Sequence, residues 1–329
     1  MIRFLRKILP PSVIQWLIRL RFLPEIHREI RYLKRKVLRF SMTFDHKRGS
    51  LLSDIMIRSH VLEKGITMPE RRLGFGYDRV RALISKVKKY LDQYGVEEVF
   101  LQAAIADLKQ YRDIHVEAGF QLPEDIDKGI SSFLPFLVVD DANCFVTTRE
   151  EYFKPCDNFA DFAESRHSVR WFADSPVDED KLMAAIHLAQ TAPSACNRQS
   201  TRVKIVSSDA GKLLCQSLQH GNRGFGDKAD KWLLITTDLG DWPHNNVEMA
   251  YIDAGIFTMN LLYALHHYGF VACTLNAHMD IPQREELYKG LGVPESELLA
   301  AFIIVGNPAE SFMIPKSRRL DVKDIVQVI

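Results

Sequence analysis

The sequence predicts an α+β protein whose first half is mainly helical. Helical periodicity dominates residues 41–160, and from about residue 160 helices alternate with short β-rich runs. The 329 residues are 47% hydrophobic and 26% charged, which gives ordinary globular composition and, at about 150 residues per domain, roughly two domains. Three regions follow: a basic arm (1–40), a mainly helical domain (41–160) and an α+β layer domain (161–329).

The arm comes first. Residues 12–23 start at Ser12, a candidate N-cap after Pro10-Pro11, and form a mainly apolar helix expected to stop at Pro24. Residues 25–39 place Ile26, Ile30, Leu33 and Val37 at spacings of four, three and four, one helical face with Arg and Lys on the rest. The overall charge of +1 hides a division, because residues 1–40 hold eleven Lys/Arg against two acids and the remainder holds 32 against 40. A +9 arm is therefore joined to a −8 body. Such an arm either docks on the acidic body or lies peripherally on an anionic membrane. It is no transmembrane span, since Pro10-Pro11 break the Ile8–Ile18 run and Arg19 and Arg21 close it. Nor is it a signal peptide, because no small-residue cleavage site follows. The overall charge balance argues against a dedicated nucleic-acid binder. Five cysteines, odd in number and without a CxxC pair, fit a reducing, cytoplasmic compartment.

In the helical domain, Arg81–Tyr94 and Glu97–Ala118 are the clearest helices, with Gly95 as the stop between them; polar, Pro-containing sequence follows from Gln121 to about Lys128. The stretch from His60 to Gly76 gathers His60, Glu63, Lys64, Arg71 and Arg72 near a Gly-rich turn that has neither Walker nor GxGxxG spacing. It lines a substrate pocket, or it is only a capped helix end and a charged loop.

In the last region, a helix over Asp178–Gln190 accompanies strands at Arg202–Val206, Trp232–Thr236, Phe270–Thr274 and Ala300–Val305. Between them Asn246–Tyr268 is apolar on nearly every side, as in a helix buried all round or clamped in a subunit interface. Three polar clusters here suit an anionic ligand. Arg166-His167-Ser168-Val169-Arg170 puts two guanidinium groups, an imidazole and a hydroxyl in five residues, the chemistry that binds phosphate. Ala192 to Gln199 is a turn of small residues and amides suited to a flat, polar-edged ligand. Lys316-Ser317-Arg318-Arg319 is the third. Each alone also reads as ordinary solvated surface.

Their order is more specific. S-R-H-S-V-R-x-F, then A-P-S-x-x-N-x-Q, then D-A-G-x-x-x-x-N-L-L from Asp253, then G-V-P and A-F-I-I-V-G-N-P, and a closing K-S-R together resemble the FMN-dependent nitroreductase family over about residues 162–329. The resemblance implies a mixed β-sheet flanked by helices, and a homodimer with FMN at the subunit interface. It implies that Arg166, His167 and Ser168 hold the phosphate and ribityl end, with Lys316 and Arg318 also on the phosphate, Arg319 replacing Arg318 if the register slips by one. Arg170 would stand near the flavin N1/C2 carbonyl. Pro193, Ser194, Ala195 and Asn197 would lie along a flavin edge, reaching the partner's flavin, and the segment from Cys273 through Asn276 and Ala277 would turn a backbone N–H toward N5.

The implied activity is a ping-pong oxidoreductase in which NADH or NADPH reduces FMN, which then reduces a small organic substrate. A cofactor that carries the chemistry accounts for the lack of a Ser-His-Asp, paired-carboxylate or HExxH metal pattern. Ser200 stands where the family usually has Pro, and the helical half is no part of the minimal family domain. His60, Glu63, Lys64 and Arg71 are the candidate specificity residues of that added half. The alternatives are a flavin-dependent oxidase or dehydrogenase of a biosynthetic intermediate, such as one of surface-polysaccharide assembly, and a non-catalytic flavin-binding interaction protein.

Overall fold

In the computed structural model, residues 10–40, 48–138, 143–243 and 246–329 are described. Helix α1 (Pro11–Phe40) is a single helix with Pro24 inside it. The expected stop at Pro24 is thus corrected. Proline removes one backbone bond, the one to the Leu20 carbonyl, and the Leu, Arg, Ile and Lys residues on either side are strong enough helix formers to bridge it. Ile30, on the predicted apolar face, is 59% exposed; the side chains of Leu33 and Val37, and residues 1–9 of the basic arm, lie outside the described set.

Four helices build the helical half: α2 (Arg48–Ile66), α3 (Tyr77–Tyr94), α4 (Val99–Glu117) and α5 (Glu124–Ser131). Val80, Leu83, Val87 and Tyr90 recur every three or four residues on α3 and pack with Ile55 and Leu62 of α2 and Leu101, Ile105, Leu108 and Tyr111 of α4. Gly95 ends α3 as expected, at φ 81° with its N–H on the Leu91 carbonyl. The polar Gln121–Lys128 stretch differs from a plain linker: from Glu124 it is α5, whose first turn carries Glu124, Asp125 and Asp127 and which buries Ile126 and Ile130.

A strand then appears that the sequence reading did not find. β1 (Cys144–Thr148) precedes the short helices α6 (Arg149–Tyr152) and α7 (Phe159–Ser165). Next come α8 (Glu179–Ala189), β2 (Thr201–Val206), α9 (Asp209–Leu218), β3 (Lys231–Asp238) and α10 (Val247–His267). The chain closes with β4 (Val271–Asn276), α11 (Ile281–Leu291), β5 (Glu297–Gly306), β6 (Ser311–Pro315) and α12 (Val322–Ile325). All four predicted strands are present.

The main sheet has the order β2-β3-β5-β4, and β1 pairs separately with β6. The α+β fold with a helix-flanked sheet is as expected, and within it every named ladder is antiparallel. The cause is the position of β5. It inserts between β3 and β4, which run in the same direction on either side of the α10 crossover, so neither touches a parallel neighbour.

Alternation along β3 sorts the core. Trp232 and Leu234 face one layer with Leu218 and Leu287, while Leu233 and Ile235 face the other with Ala189, Leu261 and Leu265. Helices α9 and α11 thus cover one face of an α+β sandwich, and α8 and α10 the other. Helix α10 is not buried all round in the single chain: Tyr251, Ile252 and Ile256 are 43%, 49% and 41% exposed.

Candidate functional site

The Arg166–Arg170 segment leaves the end of α7 and runs beside β4, with the Val169 N–H on the Ala272 carbonyl at 3.0 Å. Tyr152 clamps its start, since its hydroxyl accepts the His167 N–H at 2.9 Å and lies 3.1 Å from the His167 carbonyl. His167 Nδ1 lies 3.0 Å from the Pro315 carbonyl, which can only accept, so Nδ1 carries the proton. Burial is the main reason its pKa is lowered, assisted by Arg166 and Arg319. His167 therefore joins the first basic cluster to the third as a neutral ring.

The two arginines differ from ordinary surface cations. Arg170 is 5% exposed, and the Nε atoms of both Arg166 and Arg170 are buried with no hydrogen-bond partner. Arg170 Cζ lies 5.7 Å from the centre of the Phe225 ring. Burying a guanidinium N–H without a partner is costly, so this arrangement is suited to an anionic guest.

The closing cluster is tied to the helical half. The Lys316 N–H donates to the Asn143 carbonyl at 2.7 Å, and Arg318 Nε donates to Asn143 Oδ1 at 2.7 Å. Asn143 Nδ2 in turn donates to Asp107 Oδ1 at 2.8 Å, and Asp107 also accepts from Ser59. Burial and nearby Glu63 raise the Asp107 pKa well above the usual carboxylate range. Arg318 thus rests on a polar network whose far end lies on α2 and α4.

The turn at 192–199 stands apart from these clusters. Cys196, Asn197 and Gln199 have φ of 53°, 55° and 51°, a left-handed run that non-glycine residues adopt at a cost. Asp253, 3% exposed on α10, accepts the Ala195 N–H at 2.9 Å, and Ser194 Oγ accepts the Gln199 N–H at 2.9 Å. Two helical turns on, Asn260 Nδ2 donates to the Ala189 carbonyl at 3.0 Å and anchors the end of α8. Pro193, Ser194 and Gln199 line a cavity of about 320 Å³ with Asp253 and Phe257.

Asn276 ends β4, its carbonyl accepting from Gln219 Nε2 at 3.2 Å, and Ala277 follows, packed against the core layer of α9 and α11.

The stretch His60–Gly76 divides. His60 points outward, 3.5 Å from Glu63, and Glu63 is buried toward Asp107. Arg71 Nη1 caps the end of α2 through the Ile66 carbonyl at 3.0 Å. Both Lys64 and Arg71 reach the α+β domain: Lys64 Nζ donates to the Gly221 carbonyl and stands 4.9 Å from the Phe225 ring centre, and Arg71 Nη1 lies 3.7 Å from Met313 Sδ.

Sequence reasoning missed Asn143 and the loop carrying Gly221 and Phe225, and held Asp253 and Asn260 only as letters of a motif without assigning them a role. Their seven-residue spacing places them two turns apart on one helical face, from which both anchor the segment around α8 and the 192–199 turn.

Among known proteins, residues 163–214 match the nitroreductase family. A relative, the iodotyrosine deiodinase of Haliscomenobacter hydrossis, is 26% identical over 55% of this chain and 92% of its own. A nitroreductase family protein of Streptococcus pneumoniae superposes with TM-score 0.44 at 20% identity, over 52% of this chain and 100% of that one. A nitroreductase-type structure from Desulfovibrio desulfuricans, solved in complex with FMN, superposes with TM-score 0.45 at 20% identity, over 52% and 95%. The family match begins just before the Arg166–Arg170 motif and runs to residue 214, and the helical half lies outside it.

Proposed function

We propose that the protein is an FMN-dependent oxidoreductase in which NADH or NADPH and then a small organic acceptor use one pocket in turn. The observation that carries this is the pair of buried, unpartnered guanidinium Nε atoms of Arg166 and Arg170 in the family-matching segment. Their chemistry fits a flavin mononucleotide, which offers a dianionic phosphate and a polar ring edge. Arg166, Ser168, Lys316 and Arg318 would hold the phosphate end, with neutral His167 fixing the segment. Arg170 would place positive charge by the flavin N1/C2 carbonyl, and the backbone of Asn276 and Ala277 would serve the N5 side. Pro193, Ser194, Ala195 and Asn197 would flank the flavin of a partner subunit, the homodimer forming through the exposed apolar face of α10. When bound, the flavin supplies the hydride and electron transfer. The kinship to a deiodinase supports a reductive reaction on a small organic molecule.

The test is direct. The purified protein should bind FMN, show a flavin absorption band and lose it on anaerobic addition of NADH or NADPH. Arg166→Ala should weaken FMN binding by about tenfold or more, the loss of roughly one charge-assisted hydrogen bond. Unchanged occupancy in that variant would reject the phosphate assignment. Bound flavin that neither nucleotide bleaches would favour the dehydrogenase reading.

A further inference from the structure

Lys64 and Arg170 come from different halves of the chain and meet at one aromatic ring. Lys64 Nζ is 4.9 Å and Arg170 Cζ 5.7 Å from the centre of Phe225. Neither has a carboxylate partner among the described residues: the charged neighbour acting on Lys64 is Arg170 itself, and Arg170 Nε has no partner at all. Burial, and then Arg170, lower the Lys64 pKa to about 8, which leaves it mostly protonated near pH 7. A half-buried ammonium and a buried guanidinium against one ring repel each other, and negative charge placed between them relieves that repulsion.

We propose that Lys64 is a flavin-binding residue supplied by the helical half, acting with Arg170 to stabilise the negative charge that reduction places on the cofactor. The inference rests on the flavin reading above and adds to it a role for the added half. Arg170 lies in the segment that matches the nitroreductase family, whereas Lys64 lies outside it. A second contact holds the end of α2 against the α+β domain. Thr67, just past its end, accepts from Trp171 Nε1 at 2.7 Å through its carbonyl, which fixes the end of α2 beside the Arg170 segment.

Lys64 also donates to the Gly221 carbonyl, so a loop clamp is the competing role. Lys64→Gln separates the two, because it keeps a donor for that carbonyl and loses the charge; Lys64→Met and Lys64→Arg complete the set. Thermal melts without flavin establish that each variant is folded. Dissociation constants for oxidised and reduced FMN, and the midpoint potential of the bound flavin, are then measured. Lys64→Gln and Lys64→Met should bind reduced FMN about tenfold more weakly than wild type with little change for oxidised FMN, which lowers the two-electron potential by about 30 mV. Lys64→Arg should restore it. Wild-type potential in the folded Gln and Met variants would reduce Lys64 to a clamp and overturn the inference. Failure of the wild-type protein itself to bind FMN would overturn the functional reading beneath it.

Discussion

His266 stacks on Phe153 with ring centres 5.2 Å apart, and its Nε2 lies 2.9 Å from Ser165 Oγ. Burial lowers its pKa from 6.5 to about 4, with Arg166 adding to the effect. The folded form therefore keeps the ring neutral, while the unfolded chain takes up a proton below about 6.5. Stability from this group is present above that pH and is lost as pH falls through about 4, at most about 3 kcal/mol. A melting-temperature series from pH 7 to pH 4 should fall more steeply for wild type than for His266→Phe, which keeps the ring packing without the titration. Equal slopes would place the acid sensitivity elsewhere. At this scale the sequence made the cations visible, because clustered Arg and Lys stand out in a chain otherwise acidic beyond residue 40. It could not show that Arg166 and Arg170 lack partners, since a missing hydrogen bond is a property of three-dimensional neighbours. For the same reason Asp253 was legible as a motif letter and not as the acceptor for Ala195, 58 positions earlier.

Helix α2 depends on a close approach at Gly65. A Cβ there would overlap the Phe75 ring, and that ring is held at 5.0 Å from Tyr111 in an edge-on contact and at 6.0 Å from His115. Alanine improves helix propensity by up to about 1 kcal/mol, but overpacking costs about 1–3 kcal/mol. Gly65→Ala should therefore lower the urea midpoint, and a raised midpoint would show that Phe75 can move aside at no cost. Periodicity made α3 and α8 legible, while α10 and the four strands of the main sheet stood out as largely apolar runs. Among the features it missed, α1's continuity and the β1–β6 ribbon failed for identifiable reasons. Pro24 was read as a stop although strong helix formers flank it on both sides. β1 was missed because its five residues gain their pairing only from β6, at the other end of the sequence.

Over the whole molecule, the basic arm presents a helix with Ile14 buried but Trp16, Ile30 and Leu38 each more than half exposed, and among the described residues no core cluster includes it. A cationic helix with uncovered apolar residues has the character that suits an anionic lipid surface. No described helix is long and apolar enough to cross a membrane. Deleting residues 1–40 should abolish binding to vesicles containing phosphatidylserine, and the full chain should release from them as salt rises. Equal binding by the truncated protein would remove the arm from that role.

The β1–β6 ribbon sets an order of events for the growing chain. Cys144 must wait for Pro315, and the Lys316–Arg319 cluster begins at the next residue. A contact this distant in sequence closes slowly and only once residue 315 has been synthesised. Until then β1 is an open strand edge, the kind that recruits foreign strands. Pairing with β6 closes one edge of β1 in the same step that brings the Lys316–Arg319 cluster up against Asn143, so strand protection and assembly of the third basic cluster are a single event.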